Sequence, residues 1–183
     1  MRRFTLGIIV LLVVAFVYFL TNFLVEGMRY YDYSLPLDAL IPFVPFFVVF
    51  YMSYYGLLVL PLFVVKDIGS YVYGLAVLLL LSAFIFLFFP GDIPSTSFVI
   101  TGLSTSMLHF IYTVDTLRHN VFPSMHVSLS FFHALLFHKW YVYLWVVLIA
   151  LSTVLVKQHF VLDIYSGLVM GAIAYIVYQR YSE

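Results

Sequence analysis

The run FTLGIIVLLVVAFVYFLTNFLV at residues 4–25 holds 22 residues without a charge, and Arg2 and Arg3 precede it. A helix crosses the hydrocarbon core of a bilayer in about 20 apolar residues, so this stretch is long enough to span. A secretory signal has a shorter apolar core and a small-residue cleavage site. Here Thr21-Asn22-Phe23-Leu24-Val25 closes the run instead, which predicts a retained anchor helix.

The rest of the chain repeats this character. Of 183 residues, 65% are hydrophobic, 21% aromatic and 9% charged, against roughly 25% charged in a soluble domain. Eight basic and eight acidic side chains cannot cover the surface of a soluble globule of this size. The composition excludes a soluble enzyme, a disordered chain and a nucleic-acid binder. The formal net charge is zero, so any partner must be chosen by where individual charges sit. With no cysteine there is no disulfide framework and no thiolate chemistry.

The spans follow from the apolar runs and their breakers. After 4–25 comes a polar connector with Glu26, Arg29, Asp32 and Asp38, then a second span at 39–65, with Pro42, Pro45 and Pro61 near its ends where helix breakage costs least. Lys66-Asp67 turns into a third span at 68–89, stopped by Pro90-Gly91-Asp92. Residues 91–122 form a long, Ser/Thr-rich connection, and connections of that length are usually functional or disordered. Within it, 98–112 is apolar enough to lie at the interface or re-enter the membrane. Spans four to six are expected at 123–137, opened by Pro123, at 140–156 and at 159–178. The expected fold is an all-α integral membrane protein: six transmembrane helices in one bundle, residues 1–183 forming a single domain. Basic residues divide five (Arg2, Arg3, Lys66, Lys139, Arg180) against three (Arg29, Arg118, Lys157), which places both termini in the cytoplasm. Six of the eight acids (Glu26, Asp32, Asp38, Asp92, Asp115, Asp163) fall on the outer side.

Three ionisable residues stand in apolar sequence near expected helix starts: His126, His159 and Asp163. An acid at mid-span costs roughly 2.5–3.5 kcal/mol even on the lenient insertion scale, so such residues need a reason. Two crossings separate His126 from His159, which returns the chain to the same membrane face and lets the two histidines converge. His159 and Asp163 are four residues apart, on one face of a helix. A carboxylate there can accept the imidazole N–H, fix the tautomer and raise the nucleophilicity of the other nitrogen. His126 would act as the complementary acid. The helix start around Ser124, Met125 and His126 favours an anion, and Arg118 and Lys157 are cations on the same side. A His–Asp pair of this kind reads equally as a mutually satisfied polar pair. His133 reads as a helix-packing hydrogen-bonder, and His138 as a headgroup-level residue. The rings near span ends, Trp140, Tyr141 and Tyr178, read as an interfacial belt.

Two segments carry a resemblance. Phe122-Pro-Ser-Met-His126 resembles the Pro-Ser-Gly-His signature of the type 2 phosphatidic acid phosphatase superfamily. Ser152-Thr-Val-Leu-Val-Lys-Gln-His159-Phe-Val-Leu-Asp163 resembles its third signature, Ser-Arg, five residues, His, three residues, Asp. Together with Leu40-Ile-Pro-Phe-Val-Pro, these segments look most like the branch holding inositol phosphorylceramide synthase and sphingomyelin synthase relatives. The resemblance implies that His159 attacks phosphorus to give a phosphohistidine, Asp163 orients it, and His126 protonates the leaving oxygen. It also implies a phosphate site including Ser124, Met125 and Ser152, and no metal or other cofactor. The family's first signature is missing, with Pro94-Ser95 where an arginine is expected, and Thr153 and Met125 replace the customary Arg and Gly. Lys157 and Arg118 are the substitute phosphate ligands.

The expected function is therefore a lipid phosphatase acting on a phospholipid or isoprenoid phosphate or diphosphate at the extracytoplasmic face of the cell membrane. A phosphotransferase that passes a phosphoryl headgroup to an alcohol is the alternative. A transporter or scramblase using the His–Asp pair as a polar relay is the alternative from another class, and a His126/His159/Asp163 metal site is a weaker one.

Overall fold

The computed structural model describes residues 2–93 and 96–182 of the chain. It is 72% helical, and among the described residues the only sheet-like pairing is an isolated bridge between Tyr31 and Gly91. Among the described residues eight α-helices follow in order: α1 Arg2–Leu24, α2 Val48–Val59, α3 Pro61–Val64, α4 Ile68–Phe88, α5 Leu103–Val114, α6 Met125–Phe137, α7 Trp140–Leu155 and α8 Val161–Tyr181.

Among the described residues four segments are long and apolar enough to cross a membrane: Arg3–Leu24, Pro45–Val64, Ile68–Phe88 and Val161–Tyr181. Helices α6 and α7 are apolar but shorter. At 13 and 16 residues they measure about 20 and 24 Å. Helix α5 has 12 residues, about 18 Å, short of the roughly 30 Å core. It buries Thr105, Leu108 and Ile111 and exposes Leu103 and Phe110, as an amphipathic helix does.

Several expected boundaries are corrected, each for a local reason. The second span starts at Pro45, not at residue 39, because prolines disfavour helix in the residue before them. Ile41 and Val44, which precede Pro42 and Pro45, are both extended. Residues Pro36–Leu40 and Pro45–Phe47 form separate 3-10 turns. Pro61 lacks the N–H that would continue α2, so the helix ends at Val59 and resumes as α3. The fourth helix opens at Met125 because Ser124 is its cap, accepting the Val127 N–H at 3.4 Å. The sixth expected helix opens at Val161, which leaves His159 in the preceding loop. At the other end of the molecule Asp67 caps α4, accepting the Gly69 and Ser70 N–H groups.

Helix α8 packs between α6 and α4, and α6 also packs on α7 and α2. Val127, Leu129, Phe132 and His133 of α6 are fully buried. Helix α1 lies on the outside, presenting Phe4, Leu12, Phe16 and Phe23, as a lipid-facing helix would. Small residues let α6 and α8 approach closely: a Cβ on Gly167 would stand 2.9 Å from the Ser124 carbonyl oxygen, and one on Gly171 2.6 Å from that of Ser128. This Gly167-x-x-x-Gly171 contact brings the N-terminal ends of α6 and α8 together.

Candidate functional site

His126 and His159 meet where those two ends converge, with ring centroids 5.6 Å apart. His126 is the second residue of α6. Its ring packs against Tyr51 (4.3 Å) and Tyr54 (4.5 Å) of α2. Its buried Nε2 has no hydrogen-bond partner among the described residues.

His159 is held in the α7–α8 loop rather than on a helix. The N–H groups of Gln158 and His159 both donate to the Thr153 carbonyl, and Lys157 takes the left-handed conformation (φ 56°) that turns the chain there. His159 is 7% exposed. Its Nδ1 lies 2.9 Å from the Val121 carbonyl oxygen and 3.3 Å from Asp163 Oδ2. Both neighbours are acceptors, so Nδ1 carries the proton and donates, which leaves the lone pair on Nε2. The carbonyl is the closer acceptor, and the carboxylate is shared: Asp163 Oδ2 also accepts the Phe160 N–H at 2.7 Å. Asp163 is fully buried, and its Oδ1 has no partner among the described residues. The trio read from the sequence thus converges.

The expected phosphate ligands distribute differently. Ser124 is buried and spends its hydroxyl oxygen as the α6 cap, and Met125, also buried, begins that helix beside His126. Ser152 is buried in α7 and donates to the Ile149 carbonyl. Lys157 shares a cavity of ≈ 180 Å³ with His159, Asp38 and Thr96. Its ammonium donates to the Ile41 (2.6 Å) and Asp38 (3.3 Å) carbonyl oxygens, which leaves one of its three protons for another acceptor. The Arg118 guanidinium lies over the Tyr112 ring, 4.9 Å from its centroid. Pro94 and Ser95 fall outside the described residues. No group of three or more His, Asp or Glu side chains among the described residues is arranged to hold a metal ion.

A second cavity, ≈ 130 Å³, adjoins His126. Its walls are mostly apolar, with Val14 of α1, Leu58 of α2 and Ile111 of α5 among them, and Tyr18, Tyr51, Tyr54, Tyr55, Asp115 and His126 bring its polar groups. Tyr18 OH donates to Asp115 Oδ2 (2.5 Å) and Asn22 Nδ2 to Asp115 Oδ1 (3.1 Å). Asn22 Oδ1 accepts the His119 N–H, and Asn120 Nδ2 donates to the Tyr18 carbonyl and to Thr21 Oγ1. Burial raises the Asp115 carboxyl above its usual range, and the Tyr18 hydrogen bond and the Arg118 charge pull it back.

This Tyr18–Asn22–Asp115–Asn120 cluster pins the loop before His126 to α1, and the sequence reading missed it. The signal was present: Tyr18, Thr21 and Asn22 are polar groups inside an apolar run, spaced to share a helix face. The Gly167/Gly171 spacing was equally readable. His133 behaves as expected, its Nε2 lying 3.2 Å from Tyr71 OH in the bundle interior. No protein-family model, curated protein or solved structure matches this chain.

Proposed function

We propose that the protein is an integral membrane phosphatase that hydrolyses a lipid phosphate or diphosphate through a phosphohistidine on His159. The observation that carries this reading is the Nδ1 proton held between the Val121 carbonyl and Asp163. It presents Nε2 as a nucleophile, with the second imidazole 5.6 Å away between centroids. In the first step Nε2 of His159 bonds to the outer phosphorus, the bond from phosphorus to the leaving oxygen breaks (the lipid alcohol's for a monophosphate, the lipid monophosphate's for a diphosphate), and His126 gives that oxygen a proton. In the second, His126 takes a proton from water, whose oxygen bonds to phosphorus as the P–N bond breaks. Inorganic phosphate leaves and both histidines are restored. Lys157 and the first amides of α6 supply positive potential for the phosphoryl oxygens. Helices α6 and α7 complete a six-span bundle, with α5 at the interface, both termini in the cytoplasm and the histidines near the outer face of the cell membrane.

One observation favours phosphotransfer as the second reading. The cavity beside His126 is walled by apolar side chains, so a lipid alcohol could occupy the place of the attacking water. The test uses purified protein in detergent with phosphatidate or prenyl diphosphate carrying a labelled terminal phosphate, with and without a lipid alcohol whose phosphate is distinguishable from either donor. Phosphate release without acceptor, and its loss in both His159→Ala and His126→Ala, supports hydrolysis. A labelled lipid product that forms only with acceptor supports transfer. Retained release in both variants would sink the trio.

A further inference from the structure

The loop that carries His159 is clamped by a connector more than a hundred residues earlier in the chain. Phe160, at the α8 cap position, has no side-chain acceptor to offer, and the first amides of a helix need acceptors. Asp163 takes the Phe160 N–H. The Val161 N–H goes to Asp38 Oδ1 at 2.8 Å, so α8 borrows its cap from the segment between α1 and α2. The other carboxylate oxygen, Oδ2, accepts the Leu35 N–H at 2.7 Å and closes the turn that presents Asp38. The exchange is reciprocal: Lys157, two residues before His159, donates to the carbonyls of Asp38 and Ile41. Val44 N–H donates to the Leu155 carbonyl. On its other side Tyr112 OH donates to the Val156 carbonyl at 3.1 Å.

We propose that Asp38 is a positioning residue for His159, fixing the α7–α8 loop so that the imidazole keeps its place between Val121, Asp163 and His126. This rests on His159 as the nucleophile. The loop is short and turns through the left-handed Lys157, so its own helix contacts leave the Val161 end without an acceptor. Asp38 supplies that acceptor and, through its main-chain oxygen, also holds Lys157. Loss of the carboxylate frees the N-terminus of α8, and Nε2 of His159 drifts relative to phosphorus. Displacements near 1 Å cost up to about a hundredfold in rate.

The test is a graded series. Asp38→Asn keeps one acceptor oxygen where the carboxylate has two, and Asp38→Ala keeps none. In phosphate release from phosphatidate, kcat falls about fivefold for Asn and about thirtyfold or more for Ala, with KM within about twofold of wild type. Carbethoxylation of His159 by diethyl pyrocarbonate and amide exchange at 158–161, both read by mass spectrometry in micelles, rise in the same order. Exchange in α4 stays unchanged. Wild-type rates of carbethoxylation and exchange in Asp38→Ala overturn the proposal, as does a KM rise that accounts for the whole loss. Should wild-type protein release no phosphate, the phosphatase reading fails. The modification and exchange series then still decides whether Asp38 holds His159, and Asp38→Asn serves if Asp38→Ala does not fold.

Discussion

The close approach of α6 and α8 can be tested by adding one carbon atom. In Gly171→Ala the new Cβ would stand 2.6 Å from the Ser128 carbonyl oxygen, 3.0 Å from the Phe132 nitrogen and 3.2 Å from the Phe131 Cβ. The first two are backbone atoms and cannot rotate away. Ordinary contact begins at 3.4 Å, so the helices must part by about 0.8 Å at this point. Overpacking of this kind costs about 1–3 kcal/mol, while replacing a mid-helix glycine by alanine returns about 0.5–1 kcal/mol. Gly56→Ala in α2 is the control, since nothing lies within 4 Å of its added carbon. The propensity gain is common to both variants, so the difference between them isolates the packing penalty. Gly56→Ala is expected at or above wild-type stability and Gly171→Ala about 1–3 kcal/mol below Gly56→Ala, measured by reversible unfolding in mixed micelles. Parting the helices also moves Asp163 away from His126, so turnover falls together with stability. Equal stability of the two alanine variants would refute the argument that Gly171 sets the helix separation.

Two further outcomes follow from local chemistry. In Asp163→Asn the amide oxygen still accepts from His159 and Phe160, while the amide nitrogen takes the place of Oδ1, which has no partner to lose. Folding should be retained and the imidazolium left uncompensated, so kcat drops by roughly 10²–10⁴; wild-type turnover would show that the carboxylate charge has no part in the chemistry. The second concerns acid. Hydrogen bonds from the Ser70 hydroxyl and N–H, and from the Gly69 N–H, hold the Asp67 carboxyl below its ordinary 3.8. A lowered folded value means that its stabilisation is present above the unfolded pKa and is lost as pH falls through the folded one. Asp67→Asn should therefore unfold at a lower temperature than wild type at pH 6, with the gap closing below pH 3.8. A gap that persists unchanged at pH 3 would contradict this.

The all-helical class, with helices long and apolar enough to cross a membrane, was legible because an uncharged run of 22 residues has few other stable fates. The trio was legible for a related reason: a histidine or aspartate in apolar sequence stands out, and its spacing fixes which face it shares. What stayed hidden depends on contacts between distant segments. No local pattern tells that the Asp38 carboxylate reaches Val161, 123 residues away. Nor does spacing show that His159 lies before its helix, because Phe160 is extended at the cap and no Ser, Thr, Asp or Asn stands there to mark the start. The second span was misplaced at its N-terminus because apolarity continues from residue 39 while Pro42 and Pro45 keep the backbone from winding.

The polar cluster on α1 also bears on how the protein is made. Tyr18, Thr21 and Asn22 leave the ribosome before the groups they bond. Their partners Asp115, His119 and Asn120 lie 93 to 102 residues behind them. At about 5–20 residues per second that interval lasts about 5–20 seconds. During it the Thr21 hydroxyl can donate to the Val17 and Tyr18 carbonyls of its own helix, while the Tyr18 hydroxyl and the Asn22 amide lack their Asp115 partner. Helix α1 thus finds its final seat only after the segment through Asn120 has been made, and the loop leading to His126 takes its place only when that helix does.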